Sequence, residues 1–308
     1  MRLKPILYIA AGALLGAAII SGFAFREVDE KEEVVDVKKN RKLQYKWYVP
    51  DLPQTMSFAG EPVPLHRWDV KESLEHEVLS NAYRHAATMQ ILLLSTRYFP
   101  IIEQRLRANG VPDDFKYLCV AESSLTHARS AAGAKGFWQF MDDTAPRFGL
   151  EVNREVDERY HVAKATDAAC RYLKDAYNKF GSWTAAAASY NCGMAGYERR
   201  ASEQYQRDYY DVMLPEETMR YVFRILAFKH IMTNPEDLGF HVLDHEQYQP
   251  VPTRQLTVTQ SIPDLAVFAN ANGTNYRMLK ILNPWLRDKS LTISSGNSYV
   301  IDLPVARR

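Results

Sequence analysis

A run of segments with helical periodicity, separated by glycine and proline, occupies the middle of the chain and constrains its fold most. Each segment spaces its apolar residues three or four apart and starts or stops at a residue that favours a helix end. The predicted helices begin near Asp69, at Pro100 and at Pro112, and cover 162–180, 183–191 and 216–233. No strand pattern is convincing between residues 70 and 235. This block is therefore predicted to be all-α.

Local signals support several of these helix ends. Asp69 with Glu72 fits a capping box, and Gly110 fits the C-terminal cap of the helix that Pro100 is predicted to open. Ser182 is predicted to open one helix, and Asn234-Pro235 to stop the last long one.

Residues 255–304 show a different pattern. A short alternating strand at 255–259 is followed by two short helices, around 263–270 and 275–282, and by a closing strand at 299–303. The order predicts a small βααβ module of about fifty residues, near the lower size limit for independent folding. The fold class predicted for the whole chain is mainly α, with a small α+β module at its C-terminal end.

The first residues indicate export. Arg2 and Lys4 precede an uncharged run from Pro5 to Phe25, which is long enough to cross a bilayer as a helix. Gly22 and Ala24 form only a weak cleavage site, so an uncleaved anchor is favoured slightly over a cleaved signal peptide. In both cases the rest of the chain is expected on the outer side of the membrane.

These patterns divide the chain into four parts. Residues 1–25 are the signal sequence or anchor, and 26–68 are a linker, because mixed charges are followed by four prolines between 50 and 64. Residues 69–235 form the helical domain. Residues 236–308 hold a further linker and the small module.

Composition excludes some functions. The formal net charge of the 308 residues is +1, which argues against nucleic-acid binding because such proteins usually carry a basic excess. The three cysteines, Cys119, Cys170 and Cys192, have no C-x-x-C spacing, so no zinc or thioredoxin-like site is expected. They are interpreted as buried core residues, although a Cys170–Cys192 disulfide stays open.

A single carboxylate, Glu122, stands near the C-terminal end of the apolar helix FKYLCVAESSL. Apolar neighbours disfavour its charged form, and the negative end of the helix dipole repels the same charge. A carboxyl group kept protonated can act as a general acid towards a glycosidic oxygen. Taken alone the signal is weak, because a glutamate at a helix end is more often solvated surface.

Polar and aromatic motifs elsewhere strengthen this hypothesis. A loop of small residues from Ser130 to Gly136 allows close approach of backbone to a ligand, and FWQFM follows it. Tyr190 and Asn191 end an alanine-rich helix just before glycine. Glu217 opens the last long helix, with Tyr221 one turn further.

Taken in order and with their spacing, these motifs resemble the soluble lytic transglycosylase family, which has a lysozyme-like fold. The matching residues are Glu122-Ser123, Ser130–Gly136, GFWQF at 136–140, Thr144-Ala145, Tyr190-Asn191 and Glu217-Thr218. The run AESSLTHARSAAGAKGFWQFMDDTAPRFGL is especially similar to the membrane-bound transglycosylase D branch. The resemblance covers about residues 70–235 and is specific as a set. The C-terminal module resembles a LysM domain, with Gln260-Ser261 in place of the usual Gly-Asp.

The resemblance implies a role for each matched residue. Glu122 is expected to act as general acid and then base. Ser130 and Gln139 are expected to contact the substrate near the cleaved bond, and Tyr190 and Asn191 to line the subsite beside Glu122. Glu217 and Tyr221 are expected to support the site from the last helix. The family often has methionine at Trp138 and alanine at Ser189, and these differences put the shape of the subsites in doubt.

Simpler interpretations exist for single residues. Ser130 could cap a helix, Gln139 could satisfy a backbone group, and Tyr190 could be a core residue with a bonded hydroxyl. Asp142 and Asp143 are interpreted as helix caps rather than a second catalytic carboxylate, and His127 as loop surface.

The predicted function is cleavage of peptidoglycan glycan strands to give 1,6-anhydromuramic acid ends, with no metal and no organic cofactor. The expected location is the cell envelope, on the periplasmic side. Protein partners are unknown from the sequence, nucleic acid is not expected as a partner, and the N-terminal segment is expected to associate with the membrane. Two alternatives stay open: a goose-type lysozyme that uses water, and a non-catalytic wall-binding protein.

Cell fractionation tests the anchor. Because the uncharged run is long and its cleavage site poor, we expect the full chain in the membrane fraction with its N-terminal residues retained. Mass spectrometry of the purified protein reads the mature N-terminus directly. A mature start near Phe25 would instead identify a cleaved signal peptide.

Overall fold

The computed structural model describes residues 49–305, which form a mainly helical body and a small α+β module. The helices are α1 (Trp68–Ala82), α2 (His85–Ala108), α3 (Phe115–Ser123), α4 (Val162–Phe180), α5 (Trp183–Cys192), α6 (Met194–Glu203), α7 (Glu216–Thr233), α8 (Leu265–Ala271) and α9 (Tyr276–Leu282). The strands are β1 (Met56–Phe58), β2 (Glu61–Val63), β3 (Thr253–Val258) and β4 (Tyr299–Pro304). Single 3-10 turns lie at Ala145–Phe148, Glu158–Tyr160, Tyr209–Asp211 and Glu236–Leu238.

Helix α7 lies at the centre of the helical body, here defined as residues 56–240. It packs against α1, α3 and α5, and α4 packs between α2 and α5. Four consecutive alanines of α5, 185–188, are fully buried, and their small side chains let neighbouring helices approach closely. The mainly α fold class predicted from the sequence is therefore confirmed.

Several predicted helix ends are confirmed by the geometry of the caps. The Ser182 hydroxyl accepts a hydrogen bond from the Ala185 amide at the start of α5, and Gly181 ends α4 in the left-handed conformation. The three cysteines are free thiols, with Cys119 and Cys170 buried, so the open Cys170–Cys192 disulfide is not formed.

Two predictions at the first helices are wrong, and one later helix was not predicted. Pro100 does not open a helix but lies inside α2, where it is exposed, so water can satisfy the Thr96 carbonyl that lacks its helical partner. Asp69 does not cap α1, because the cap position is Arg67 and the Asp69 carboxylate pairs with the Arg67 guanidinium instead. Helix α6 has no counterpart among the predicted helices.

The predicted linker of residues 26–68 is wrong for its last part. Strands β1 and β2 form an antiparallel hairpin, and Phe58 and Val63 are buried in the core of the helical body. Ala59 and Gly60 both have positive φ, as the tightest hairpin turn requires. The Ala59 amide donates to the Asp114 carboxylate at 2.7 Å, which ties this turn to the start of α3.

Glu61, in the same hairpin, caps helix α5 from outside the helix. Its carboxylate accepts hydrogen bonds from the Trp183 and Thr184 amides and from the Ser182 and Thr184 hydroxyls, at 2.6–2.9 Å. A negative charge at this position also opposes the positive end of the helix dipole. The hairpin is therefore part of the folded body.

The C-terminal module, residues 253–304, has the predicted order of strand, helix, helix and strand. Its two strands pair antiparallel from Thr253 opposite Pro304 to Val258 opposite Tyr299. The side chains of Asp264 and Asn275 cap α8 and α9. A separate apolar core forms around Leu265, Leu279 and Ile301.

This module packs against a loop of the helical body, residues 151–160, called the docking loop here. Val156 forms a β-bridge with Leu286, the Asp157 amide donates to the Trp285 carbonyl at 2.8 Å, and the Arg287 amide donates to the Glu155 carbonyl at 2.7 Å. Val156 and Tyr160 belong to the apolar core of the module. The docking loop and the module therefore share one apolar core, and their backbones are hydrogen-bonded to each other.

Two charged side chains, Glu155 and Arg287, add further contacts between the docking loop and the module. The Glu155 carboxylate accepts from the Ser290 hydroxyl at 2.7 Å and from the Thr292 amide at 2.6 Å. The Arg287 guanidinium lies 4.4 Å from the centre of the Tyr160 ring. These contacts fix the orientation of the module on the docking loop.

Among residues 49–305, no helix combines the length and the apolar character needed to cross a membrane. The predicted anchor at residues 1–25 lies outside the described residues.

Replacing Glu61 by alanine tests the role of the hairpin. Because the carboxylate satisfies four donors at the start of α5, we expect Glu61→Ala to lower the free energy of unfolding by about 2–3 kcal/mol. Urea denaturation measures this loss. Glu203→Ala, at an exposed position on α6, is the matched control and should change stability by less than about 0.5 kcal/mol. Equal stability of the two variants would mean that the cap contributes nothing.

Candidate active site

Glu122 lies in the last turn of α3, next to the core of the helical body. Leu118, Cys119 and Val120 of the same helix are fully buried. The chain then turns sharply, because Ser124 and Leu125 both have positive φ, which is rare for residues other than glycine. Such strained backbone is retained where the surrounding structure holds it, commonly at functional sites.

Tyr221 of α7 donates a hydrogen bond from its hydroxyl to Oε1 of Glu122. Burial raises the pKa of Glu122 to about 7, while the Tyr221 hydrogen bond and the Arg224 charge act in the opposite direction. The Glu217 carboxylate adds to the rise. Close to neutral pH, a large fraction of Glu122 is therefore protonated, as a general acid requires.

An ion-pair network connects α7 to a buried carboxylate on α1, Glu77. Arg220 Nε lies 2.7 Å from Oε1 of Glu77, and Arg224 Nε lies 3.5 Å from Oε2. Arg224 also reaches Glu217, with Nη1 3.1 Å from Oε1. Glu77 is only 1% exposed, and these two guanidinium groups offset the cost of burying its carboxylate.

Sequence reasoning missed this network, although a signal was present. Glu77 and Asn81 fall on the same helix face as the buried Leu74 and Val78, where a charged residue needs a partner. Arg220 and Arg224 are one turn apart on α7 and provide that partner.

Tyr190 and Asn191 lie at the end of α5, as predicted. The Tyr190 hydroxyl donates to the Trp138 carbonyl at 2.8 Å, and burial together with the nearby Glu122 charge raises the pKa of the phenol. The Thr218 hydroxyl donates to Oδ1 of Asn191 at 2.8 Å, which ties the exposed Asn191 to the start of α7. Tyr190 therefore lies near Glu122, and Asn191 lies at the start of α7.

Ser130 and Gln139 hold the loop between them. The Ser130 hydroxyl accepts from the Ala134 amide at 3.0 Å. The Gln139 side-chain amide donates to the carbonyls of Gly136 at 2.7 Å and Ala128 at 3.2 Å, and Gln139 itself has positive φ. The contacts of Gln139 match its simpler interpretation, in which it satisfies backbone groups. Ser130 accepts from a backbone amide in a turn and does not cap a helix.

A buried arginine, Arg159, fixes the far side of this loop. It donates to Asp157 at 2.7 and 2.8 Å, to the Phe140 carbonyl at 3.3 Å, and to Asp142. A Cβ at Gly136 would lie 1.9 Å from the Arg159 carbonyl oxygen, so only glycine fits there.

Asp142 and Asp143 are not helix caps, and that prediction is wrong. Asp142 pairs with Arg159 and Lys135, while Asp143 accepts from the Thr144 hydroxyl at 3.2 Å. The turn after them, Ala145–Phe148, has no side-chain cap. His127, interpreted as loop surface, is exposed but also packs against Phe137 and Tyr160.

The structure thus brings Glu122, Tyr221, Glu217 and Tyr190 to one place, and it ties Asn191 to Thr218 at the start of α7. The side-chain hydrogen bonds of Ser130 and Gln139 stay within their own loop. Within residues 49–305, no group of three or more His, Cys, Asp or Glu side chains is arranged to hold a metal ion.

Family models match both parts of the chain. Residues 99–213 match the transglycosylase SLT domain, and residues 254–307 match the soluble lytic transglycosylase C-terminal LysM-like domain. The chain therefore carries an SLT transglycosylase domain followed by a soluble lytic transglycosylase C-terminal LysM-like domain. The resemblance noted from the motifs is confirmed.

Curated relatives agree with this assignment. Membrane-bound lytic murein transglycosylase D of Escherichia coli strain K12 is 26% identical over 238 residues, covering 75% of this chain and 51% of the relative. The protein of the same name from a second E. coli strain matches equally well. The chain thus spans about half the length of the curated relatives it matches. A solved lytic transglycosylase from Pseudomonas aeruginosa overlaps 51% of this chain and 28% of its own, at 20% identity and a TM-score of 0.39.

The raised pKa of Glu122 predicts a pH-dependent difference in stability between the wild type and Glu122→Gln. With a folded-state pKa near 7, above the ordinary 4.5, the folded state binds more protons than the unfolded state between these values. Stability of the wild type relative to the variant should fall as pH rises through this window, by on the order of 1–2 kcal/mol. Urea denaturation at pH 5 and pH 8 measures it.

Tyr221→Phe provides the control for this prediction. Loss of the hydroxyl removes a hydrogen bond that favours the charged carboxylate, so the window should extend to higher pH. A difference between wild type and Glu122→Gln that does not change with pH would show that Glu122 has an ordinary pKa.

Proposed function

We propose that this chain is a peptidoglycan lytic transglycosylase that cleaves the β-1,4 bond between N-acetylmuramic acid and N-acetylglucosamine. The observation that carries the proposal is Glu122, a carboxyl group whose pKa is raised to about 7 and which accepts a hydrogen bond from Tyr221, in a chain with an SLT transglycosylase domain. The named activity of the murein transglycosylase D relatives supports it.

In the first step, protonated Glu122 donates its proton to the glycosidic oxygen. The bond from that oxygen to C1 of the muramic acid breaks, and the N-acetylglucosamine part leaves with a new hydroxyl group. Positive charge builds up at C1, close to the carboxylate that Glu122 has become, and the opposite charges attract. Tyr221 stabilises this carboxylate through its hydrogen bond.

In the second step, the Glu122 carboxylate takes the proton from the C6 hydroxyl of the same muramic acid. The C6 oxygen attacks C1 and closes the 1,6-anhydro ring, and Glu122 is protonated again for the next turnover. One carboxylate is enough, because a hydroxyl within the same sugar has a high effective concentration.

The neighbouring carboxylates support this mechanism over hydrolysis. An inverting hydrolase needs a second carboxylate free to activate water. Glu217, the acidic neighbour that raises the Glu122 pKa, is paired with Arg224, and Glu77 lies between two arginines. Goose-type lysozyme action remains the second candidate, because Glu217 is exposed enough to meet water.

Other residues would hold the sugar. Tyr190, near Glu122, and Asn191, bonded to Thr218, are assigned to the adjacent subsite, while Glu217 and Tyr221 support it from α7. Ser130 and Gln139 shape the loop wall, and substrate contacts from them would use the groups left over by their backbone hydrogen bonds.

The remaining parts of the proposal concern place and binding. We assign the catalytic unit to residues 69–235 together with the hairpin that packs into it, and the glycan-binding module to the LysM-like domain. We assign the protein to the cell envelope, on the periplasmic side, with residues 1–25 as anchor or signal. The membrane-bound relatives support this placement through their name.

Product analysis tests the reaction and separates the two candidate functions. Purified protein is incubated with isolated peptidoglycan, and the products are examined by mass spectrometry without reduction. We expect muramic acid ends lighter by one water than hydrolysis products, because the C6 hydroxyl rather than water attacks C1. Reducing muramic acid ends alone would identify a lysozyme.

Glu122→Gln is the matched variant, because glutamine has the same shape but cannot donate the proton. We expect at least a hundredfold loss of turnover with retained stability at pH 5. Glu203→Gln, remote and exposed, should keep full activity. Substantial turnover by Glu122→Gln would remove Glu122 from the mechanism.

A further inference from the structure

A cavity lies between α1 and α7, outside the site around Glu122. Its volume is about 380 Å³. The lining comes from both helices: Trp68, Asp69, Glu72, Ser73 and His76 on α1, and Met219, Arg220 and Phe223 on α7. None of these residues takes part in the mechanism described above.

The main feature of this cavity is Trp68, whose side chain is 74% exposed at the first position of α1. A tryptophan ring combines a large apolar face with a polar N–H, so an exposed one beside a cavity offers a ligand both kinds of contact. By contrast, Trp138 and Trp285 are buried in the two cores.

The position of Trp68 is held by charges on both sides. Arg67, which precedes it, pairs with Asp69 at 2.7 Å and with Asp211 at 2.6 Å. The Ser73 hydroxyl donates to the Asp69 carbonyl at 2.7 Å. Contacts within the protein therefore hold the rim of the cavity in place.

The chemistry of the lining suits a sugar. One face of a pyranose ring is apolar and stacks on an aromatic ring, while its hydroxyl and amide groups need donors and acceptors around the edge. Glu72 and Asp69 provide acceptors, Arg220 provides donors, and Met219 and Phe223 provide apolar floor.

The cavity is connected to the site around Glu122 through α7. Arg220, in the cavity lining, shares the buried Glu77 with Arg224, and Arg224 pairs with Glu217 beside Glu122. Arg220 and Met219 lie within one helical turn of Tyr221 along the axis. The cavity and the site around Glu122 therefore both border residues 217–224 of α7.

We propose that the cavity beside Trp68 is a distal subsite for sugar residues of the same glycan strand that Glu122 cuts. The proposal rests on the proposed function, because a long strand is the only form of that substrate able to reach both places. Trp68 contributes to the binding of long strands and does not contact the reacting bond.

Binding of glycans of different length to an inactive protein tests this subsite. In the Glu122→Gln background, soluble β-1,4-linked N-acetylglucosamine oligomers and purified uncross-linked glycan strands are titrated by calorimetry. Adding Trp68→Ala should weaken strand binding about five- to tenfold, as for loss of one aromatic–sugar stack, and leave disaccharide binding unchanged. Tyr205→Ala, at a side chain 94% exposed on another helix end, is the matched control and should change neither.

Fluorescence gives a second measurement. Strand binding should quench the emission of exposed Trp68, and Trp68→Phe should abolish that quenching while keeping most of the affinity, because the aromatic face is retained. Equal strand affinity of the Trp68→Ala and parent proteins would overturn the proposal. So would an equal loss in Tyr205→Ala, which would show a general effect of exposed aromatic rings.

Activity separates this proposal from the proposed function. In the otherwise wild-type chain, Trp68→Ala should lower kcat/KM for long strands and leave kcat for short fragments unchanged. Loss of kcat on short fragments would place Trp68 in the catalytic site and overturn the distal subsite. Absence of 1,6-anhydro products in the wild type, with strand binding that still depends on Trp68, would overturn the reaction alone.

Discussion

The hydrogen bond from Tyr221 to Glu122 is the interaction on which the rest of the site depends. It can form only if the end of α3 meets the second turn of α7, because each helix supplies one partner. Burying a carboxyl group costs free energy, and here the protonated form avoids most of that cost. The same packing that builds the core therefore sets the protonation state of the proposed acid.

Around this pair, the backbone is held in conformations that would not persist alone. Ser124, Leu125 and Gln139 have positive φ, each unfavourable for a residue with a side chain. Gln139 compensates with two hydrogen bonds to carbonyls, and Gly136 allows the contact with the Arg159 carbonyl that closes the loop. The strained backbone at these residues lowers stability, and it holds the loop between Ser130 and Gln139 in place.

Much of this architecture could be predicted from the sequence, because helical periodicity and caps are local signals. Ser182, Gly181 and the βααβ order follow from neighbours in the chain. The hairpin at 56–63 was hidden, because its strands have three residues each and its turn uses Ala59 where asparagine or aspartate is usual. Partners distant in sequence, such as Leu286 with Val156, leave no local trace. The buried face of α1 shows that Glu77 needs a partner, but the local pattern does not identify Arg224 as that partner.

The packing of the LysM-like module on the docking loop has a consequence for how the protein would work along a polymer. A module on a slack tether raises the local concentration of its target but leaves the chosen bond to chance. Here Val156 pairs with Leu286 and Glu155 accepts from Thr292, so the module cannot swing freely. If it grips a strand, the grip and Glu122 stay a constant distance apart. The lengths of the released fragments would then be set by the fixed distance between the module and Glu122.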